Sequence, residues 1–381
     1  MVESSPTAPL RLGVVGCGSV SQAYNELIRP LRLDGEVVVT MACDVDPDEQ
    51  LVDGSTRLDR IRRMWPGTGF TADYREVVTS DEVDVVLVLT SMLHHFEIAY
   101  AALEAGKHVL VEKPMATTLE EGQRLLELAR TAPGLLMCAP HIILSPTYRS
   151  IWRRVRDGEI GRPLLARARY GHGGHGLPAW FFQQGGGALF DLGVYNIIAL
   201  TGLIGPAKRV TAFGGTAIRE RPGRKGPIAC EAIDNAHVLV DFGDDVFASV
   251  ATGFTMQKYR SPAIELYGSE GTIQMLGDDW APEGYELYTR AAGAWQVFDD
   301  EDPRWYWVEG IRHLVQCVRE GARPLNTPEH AYHALEIMVK AELSARDGCA
   351  HAIESDFPAL DLSSPEPQAL YESHDRSVKR Q

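Results

Sequence analysis

The sequence predicts an α/β chain, an N-terminal doubly wound parallel sheet followed by a C-terminal α+β unit with a large, mainly antiparallel sheet. Three observations carry this. Residues 10–15 are a short apolar run ending in the glycine turn Gly16-Cys17-Gly18-Ser19-Val20-Ser21, which opens a helix. From there to Ala139, strand-length apolar runs alternate with helical stretches, the order that builds a parallel sheet with right-handed crossovers. Beyond Arg209, β-rich segments separated by turn signals such as Phe242-Gly243-Asp244-Asp245 replace the alternation. The expected division is residues 1–139, residues 140–355, and a polar, loosely ordered tail over 356–381.

In the glycine turn, the first glycine permits a tight bend and the second lets backbone approach a pyrophosphate. Small Ser21, in the third position, keeps helix and strand close, and the helix N-terminus favours the anion. Gly16, Gly18, Ser19 and Val20 are therefore expected at a dinucleotide, and this half is expected to be an NAD(P)-binding Rossmann domain. Residues 22–28 are expected to be helical, stopping before Pro30. The next run, 37–43, ends in Asp44, at about the spacing at which an acid meets the adenosine ribose. A carboxylate there accepts from a 2′-OH and repels a 2′-phosphate, which favours NAD over NADP. The competing reading of Asp44-Val45-Asp46-Pro47 is a helix N-cap. An Arg-rich helical stretch runs to about Met64 without a readable function. Residues 83–89 form a buried-type strand, and Thr90-Ser91-Met92-Leu93-His94-His95 leads into helix 96–104.

The helix before Gly106 feeds strand 109–111, which delivers Glu112-Lys113-Pro114 to a strand's carboxyl end, where open α/β sheets bind ligands. Pro114 holds Lys113 out of the α region, so covalent geometry aims the amine. A surface lysine before a loop proline is the competing reading of this motif alone. Helix 119–130 and strand 135–139 complete this half.

Beyond Pro140, helix 146–156 precedes strand 164–170 and the loop Gly171-His172-Gly173-Gly174-His175-Gly176. Its two histidines lack a third ligand, so no metal is expected, and the glycines predict a mobile substrate-side loop. Gly185-Gly186-Gly187-Ala188-Leu189-Phe190-Asp191-Leu192-Gly193-Val194-Tyr195-Asn196 then starts an apolar helix reaching about residue 203. Asp191 and Tyr195 are four apart, on one face of its first turns, and polar groups on such a helix need partners or a cavity. The alternative is an Asp paired with the helix dipole and a Tyr capping a loop. Trp180 has two readings, a cover for a cofactor ring or a core residue; its place just before the glycine run favours a pocket wall. Strands are expected over 210–218, 236–242, 246–254, 263–267, 272–275, 285–289 and 295–298, and helices over 307–320 and 328–346. A sheet with helices on one face and apolar residues on the other suits an oligomer interface, hence a homodimer or homotetramer.

Composition narrows the function. The chain has 381 residues, 45% hydrophobic and 23% charged, which suffices for two cores. A net charge of -15 excludes nonspecific binding to nucleic acid or anionic membranes, both of which need a basic surface. The opening residues 1–9 lack the apolar core of a signal peptide and no later apolar run approaches a membrane span, so a cytoplasmic protein is expected. Six scattered cysteines without CxxC spacing are expected to be reduced thiols.

With these pieces in place, the chain resembles the Gfo/Idh/MocA family, the glucose-fructose oxidoreductase and inositol dehydrogenase group, from about residue 10 to about residue 352. The glycine turn, Ala105-Gly106-Lys107-His108-Val109-Leu110-Val111-Glu112-Lys113-Pro114, residues 185–195 and Thr327-Pro328-Glu329-His330-Ala331 carry the resemblance. It implies hydride transfer between a nicotinamide and a carbinol or ketone carbon of a sugar, glycoside or polyol. It also implies that Lys113 touches cofactor and substrate, with Asp191 and Tyr195 near the reacting carbon. Thr90, His95 and Glu112 would lie at the cofactor, and His141 and Trp180 on the substrate side. The carbinol proton would go to Tyr195, its pKa drawn down from about 10 by Lys113, or to Lys113 itself, with Asp191 orienting whichever acts.

There are departures. Thr90-Ser91-Met92 stands where members often read Thr-Pro-Asn, although His95 keeps its place. Tyr195 and Ile198 stand where inositol dehydrogenases carry His and Asp, and His141 and Ile143 where an Asn or His and an Arg are usual. The Asp-x-Gly-x-Tyr form is similar to that of glucose-fructose oxidoreductases, dimeric dihydrodiol dehydrogenases and some sugar ketoreductases. Two other activities fit the resemblance: a glycosidase that oxidises, eliminates and reduces with retained NAD, and a non-enzymatic NAD-responsive regulator.

Overall fold

The computed structural model describes residues 8–223, 226–299 and 305–363. Six parallel strands form the first sheet: β1 (Leu10–Val15), β2 (Val37–Cys43), β3 (Gly69–Thr71), β4 (Val85–Val88), β5 (His108–Val111) and β6 (Leu136–Cys138). Their order is β3-β2-β1-β4-β5-β6, so the winding reverses between β1 and β4. The crevice outside the carboxyl ends of those two strands is where such sheets bind ligands. Helices cover both faces, so β4 is buried at every position, which is why it reads as an unbroken apolar run.

The helix after the glycine turn, α1 (Ser19–Leu33), is longer than the sequence predicts and carries Pro30 inside it. An interior proline costs about 3 kcal/mol through a lost hydrogen bond and a steric clash. The buried stripe Tyr24, Leu27, Ile28 and Leu31 lies on both sides of Pro30, and its burial outweighs the break. Two other helices, α2 (Arg57–Met64) and α3 (Tyr74–Thr79), flank the three-residue β3. Neither β3 nor α3 has enough residues to show a period in the sequence. Helices α4 (His95–Glu104) and α5 (Leu119–Ala129) complete the layer.

The second half begins with α6 (Pro146–Arg156), whose N-cap Ser145 accepts from the Tyr148 N–H and whose first residue is proline. It continues through β7 (Pro163–Gly171), α7 (Val194–Ile204), β8 (Arg209–Gly215) and an unanticipated hairpin of β9 (Glu220–Gly223) and β10 (Gly226–Ala229). Then come β11 (Asn235–Gly243), β12 (Val246–Gly253), β13 (Ile264–Gly268), β14 (Gly271–Asp278), β15 (Ala281–Thr289) and β16 (Trp295–Phe298). Helices α8 (Gly310–Glu320) and α9 (Pro328–Asp347) and the short β17 (His351–Ala352) follow.

The second sheet runs β16-β15-β14-β13-β7-β12-β11-β8-β17, antiparallel throughout except where β7 meets β12. Residues of α7 and α9 join the inner strand residues in one core, while Phe213, Leu239, Leu165 and Phe247 stand exposed on β8, β11, β7 and β12. Val308, Ile311, Leu314 and Val315 pack with Leu12, Tyr24 and Leu27, so the chain returns to the first sheet at α8.

The expected loose tail is packed over its first residues. Phe357 stacks on His330 with ring centroids 4.1 Å apart, and Leu362 is fully buried. The rest of that tail, 364–381, lies outside the described residues.

Candidate active site

The site grows from the ends of β1, β4 and β5. Gly16 has φ +92, and a Cβ there would come within 2.7 Å of the Leu89 carbonyl and the Thr90 nitrogen, so only glycine lets the turn cross the gap between β1 and β4. Over Gly18 the space is open: a Cβ there meets nothing within 4 Å. Such a turn, bare above and opening α1, fits a pyrophosphate. Ser21 is buried and donates its hydroxyl to the Gly18 carbonyl at 2.7 Å, which ties the helix start to the turn.

Asp44 is buried at the end of β2 and accepts from the Cys17 N–H at 2.8 Å and the Asp46 N–H at 3.0 Å. The Arg57 Nη1 lies 2.9 Å from each of its carboxylate oxygens, and Arg57 is also paired with Glu49. Asp44 thus steadies the glycine turn from below while Arg57 offsets its charge. Arg60, one helical turn on, donates to the Cys17 carbonyl. The spacing of Arg57 and Arg60 on one face of α2 is the sequence signal that could have marked them.

Beside this cradle, Lys113 follows β5 and reaches across to the second half of the chain. Its Nζ donates to the Asp191 carboxylate and, at 3.0 Å, to the Asp191 carbonyl. The amine is 5.5 Å from the centroid of the Tyr195 ring. Lys113, Asp191 and Tyr195 are therefore brought together, and all three are nearly buried. The turn that does this is not the regular α-helix expected from the sequence: Leu189–Gly193 is a π-helical turn that passes into α7. A π turn is rare and costs helix regularity, and it occurs frequently at functional sites.

The acidity of Tyr195 also differs in sign from the sequence expectation. Burial pushes its hydroxyl well above the usual tyrosine range, and Glu112, Tyr170 and Asp191 push the same way. Tyr195 is held neutral, a hydrogen-bond donor. Its hydroxyl makes no hydrogen bond among the described residues.

Glu112 is buried beneath the site. It accepts from the Tyr24 hydroxyl at 2.8 Å and the Lys113 N–H at 3.2 Å, and burial raises its pKa. The Tyr24 hydroxyl lies 3.3 Å from the His141 Nε2. His141 is buried against Gly310, and burial lowers its pKa to about 3. It touches the site through Tyr24 and Glu112 rather than joining the Lys113 cluster. His95 bridges two strand ends, with Nδ1 2.7 Å from the Pro114 carbonyl and Nε2 3.0 Å from the Thr90 carbonyl. It braces the loops after β4 and β5, and its pKa falls to about 4 through burial.

The glycine and histidine loop, expected to be mobile, is pinned. Arg221 on β9 is buried, pairs with buried Asp234 at 3.0 Å, and donates to the Gly173 carbonyl at 2.9 Å and the Phe254 carbonyl at 2.9 Å. No sequence pattern linked Arg221 to a loop 48 residues away. Trp180 stacks on Phe181 with centroids 3.7 Å apart, and Phe181 meets Phe254 edge-on at 6.3 Å, an aromatic wall beside the loop.

This geometry defines a class before it defines a substrate: a dinucleotide cradle at a topological switch point, with an amine, a carboxylate and a neutral phenol gathered beside it. The chain belongs to the GFO/IDH/MocA family of NAD(P)-dependent oxidoreductases. Residues 10–139 match the oxidoreductase family with NAD-binding Rossmann fold, and residues 148–274 match the GFO/IDH/MocA C-terminal domain, together more than half of the chain.

Among characterised relatives, levoglucosan dehydrogenase of Pseudarthrobacter phenanthrenivorans is 30% identical over 227 residues, which span 53% of this chain and 58% of that protein. The 1,5-anhydro-D-fructose reductase of Ensifer adhaerens is 28% identical, covering 91% of this chain and 99% of that one. The trans-1,2-dihydrobenzene-1,2-diol dehydrogenase of Danio rerio is 26% identical with the same coverage. The fold is also that of levoglucosan dehydrogenase in complex with NADH and levoglucosan, with a TM-score of 0.79, 22% identity, and coverage of 91% of this chain and 100% of that one. The family acts on sugars and polyols. Among the described residues, no helix is long and apolar enough to cross a membrane.

Proposed function

We propose that this chain moves a hydride between NAD and a carbinol or ketone carbon of a cyclic sugar or polyol. The observation that carries the reading is the Lys113 amine, clamped by the carboxylate and carbonyl of Asp191 just past the carboxyl end of β5, the neighbour of switch-point strand β4. The residues fit a dinucleotide. Gly16, Gly18, Ser19 and Val20 would lie under its pyrophosphate, Asp44 would face the adenosine ribose, and Thr90, Glu112 and Lys113 would border the nicotinamide end. When bound, the nicotinamide supplies the hydride acceptor or donor.

The protein's part is charge and protons. As hydride leaves the carbinol carbon, the neutral Lys113 amine would take the proton from the substrate hydroxyl, and Asp191 would balance the ammonium that forms; in reduction the same ammonium would return its proton to the developing alkoxide. Tyr195, kept neutral by its surroundings, donates a hydrogen bond to the same oxygen. This favours Lys113 over Tyr195 as the proton-transfer group. The buried Asp44 carboxylate supports NAD over NADP, and Arg57 tempers that preference by offsetting its charge. The names of the relatives, which include a levoglucosan dehydrogenase and an anhydrofructose reductase, support a cyclic polyol. The reading is tested by NAD-linked oxidation of pyranoses, inositols, anhydrosugars and dihydrodiols, followed as absorbance of reduced nicotinamide.

We further propose that the chain works as a homodimer or homotetramer through the outer face of the second sheet. Support comes from four neighbouring strands, β7, β12, β11 and β8, which each expose a large apolar side chain there.

A further inference from the structure

The loop Gly171–Gly176, which follows β7, is left without a task by the reading above, and its first histidine is well defined. The His172 N–H donates to the Gly253 carbonyl at 3.1 Å, so the extended backbone of β7 continues one residue past Gly171. Residues two apart on extended backbone share a face. Two residues back, Tyr170 meets the Tyr195 ring edge-on at 5.6 Å, and His172 thus projects to the side of the sheet that carries Tyr195.

The ring's orientation and proton are both determined. It stacks on Phe254, with centroids 5.3 Å apart and planes at 26°. The Gly174 N–H donates to its Nδ1 at 3.0 Å. An Nδ1 that accepts carries no proton, so the neutral ring bears its hydrogen on Nε2. Half-burial lowers the pKa of the ring and keeps it neutral. Asp191 and Lys113 lie close enough to act on its charge, with opposite signs. The Nε2 itself has no partner among the described residues.

The support behind the ring is rigid. Phe254 is fully buried and meets Phe182 and Phe181 edge-on. The buried Arg221–Asp234 pair holds Gly173 on one side and the Phe254 carbonyl on the other. A surface histidine needs no such brace. A hydrogen-bond donor that must meet a substrate oxygen within a few tenths of an ångström does.

We propose that His172 is a substrate-binding residue that presents a neutral Nε2–H to an oxygen of the polyol next to the reacting carbon, with Arg221 as its positioning residue. The inference rests on the polyol dehydrogenase reading and adds a fourth group to Lys113, Asp191 and Tyr195. A site built around a fixed donor discriminates strongly against substrates lacking the matching oxygen, because the bound analogue would cover the donor and leave it unpaired.

The test uses the full chain and whichever of levoglucosan, myo-inositol, scyllo-inositol and D-glucose it oxidises fastest with NAD. His172→Phe keeps a ring against Phe254 and removes the donor; His172→Gln restores an N–H of similar reach. His172→Phe is expected to raise KM at least tenfold, with kcat within about threefold and NADH affinity unchanged, and His172→Gln to recover most of the loss. A purely structural histidine would move the melting temperature and kcat together and would not be rescued by Gln. An unchanged KM in His172→Phe overturns the assignment while leaving the dehydrogenase reading intact. A wild type that oxidises neither these four nor any other anhydrosugar, pyranose, inositol or dihydrodiol overturns the polyol reading, and this inference with it, while NADH binding measured by fluorescence still reports on the cradle.

Discussion

At the residue scale, Lys113, Asp191 and Tyr195 are brought together, and in the proposed reaction they divide one task. The lysine and aspartate form a nearly buried ion pair, and such a pair is retained for placement more than for stability, since desolvation offsets most of its attraction. Removing Lys113 leaves Asp191 without its ion-pair partner and, in the proposed reaction, the substrate oxygen without a proton partner. Lys113→Ala is therefore expected to lose about two to four orders of magnitude in turnover and Tyr195→Phe about two to three, with NAD affinity within a few fold. Steady-state kinetics with NADH binding alongside checks this, and wild-type turnover in both variants would contradict it. These three residues were legible in the sequence because each stands beside a marker of a turn, Pro114 or the glycines at 185–187. The acidity of Tyr195 was not legible. Its sign depends on burial and on Glu112, Tyr170 and Asp191, effects that only the folded chain brings to one phenol, whereas the sequence suggested Lys113 alone. Arg57 was hidden for a similar reason, since an arginine in an Arg-rich helix looks solvated until the fold lays it on Asp44.

At the element scale, the glycine turn, the π-helical turn and the β9–β10 hairpin build the site. The turn between β1 and α1 could be read because its glycines are dictated by local backbone. Gly16→Ala places a Cβ 2.7 Å from the backbone of Leu89 and Thr90 at a φ that L residues rarely adopt, so β1 and β4 must part at their ends. This substitution is expected to weaken NAD binding more than tenfold, measured by fluorescence titration; binding within twofold of wild type would show that the turn does not set the cradle. The π turn was not legible because it has the composition of an ordinary apolar helix, and what defines it is a shift of hydrogen-bond register. The hairpin was missed because its strands are four residues each, too short to alternate visibly. It nevertheless carries Arg221, which turns a glycine-rich loop into a fixed one.

At the scale of the whole molecule, two features follow from burial. Five histidines are held neutral inside the fold: burial lowers His95, His313 and His333 to about 4, and His141 and His330 to about 3. Each binds its proton less readily folded than unfolded, so stability rises with pH across this range. The contribution is complete above the unfolded value of about 6.5 and is lost as pH falls toward 4 and then 3. Calorimetry is expected to show the melting temperature falling between pH 7 and pH 5, and a flat profile there would contradict these assignments. The second feature is the open face of the nine-stranded sheet. Phe213 is 87% exposed and Leu239 56%, on neighbouring strands, an arrangement that invites a second copy. Light scattering is expected to find a dimer or tetramer that Phe213→Asp with Leu239→Asp converts to monomer. A monomeric wild type would remove the proposed assembly. Both sheets were legible from strand spacing and turns, but the return of α8 to the first sheet was not, because its apolar face specifies burial without specifying a partner.

The most direct measurement is spectrophotometric. The purified full chain is incubated with NAD, and in parallel NADP, against levoglucosan, other anhydrosugars, pyranoses, inositols and dihydrodiols, and reduced nicotinamide is followed by absorbance. The account predicts reduction of NAD by at least one cyclic polyol, faster than reduction of NADP. Reduction of neither cofactor by any of them, with NADH still bound and a free sugar released from a glycoside, would contradict net hydride transfer and point instead to a retained cofactor and elimination chemistry.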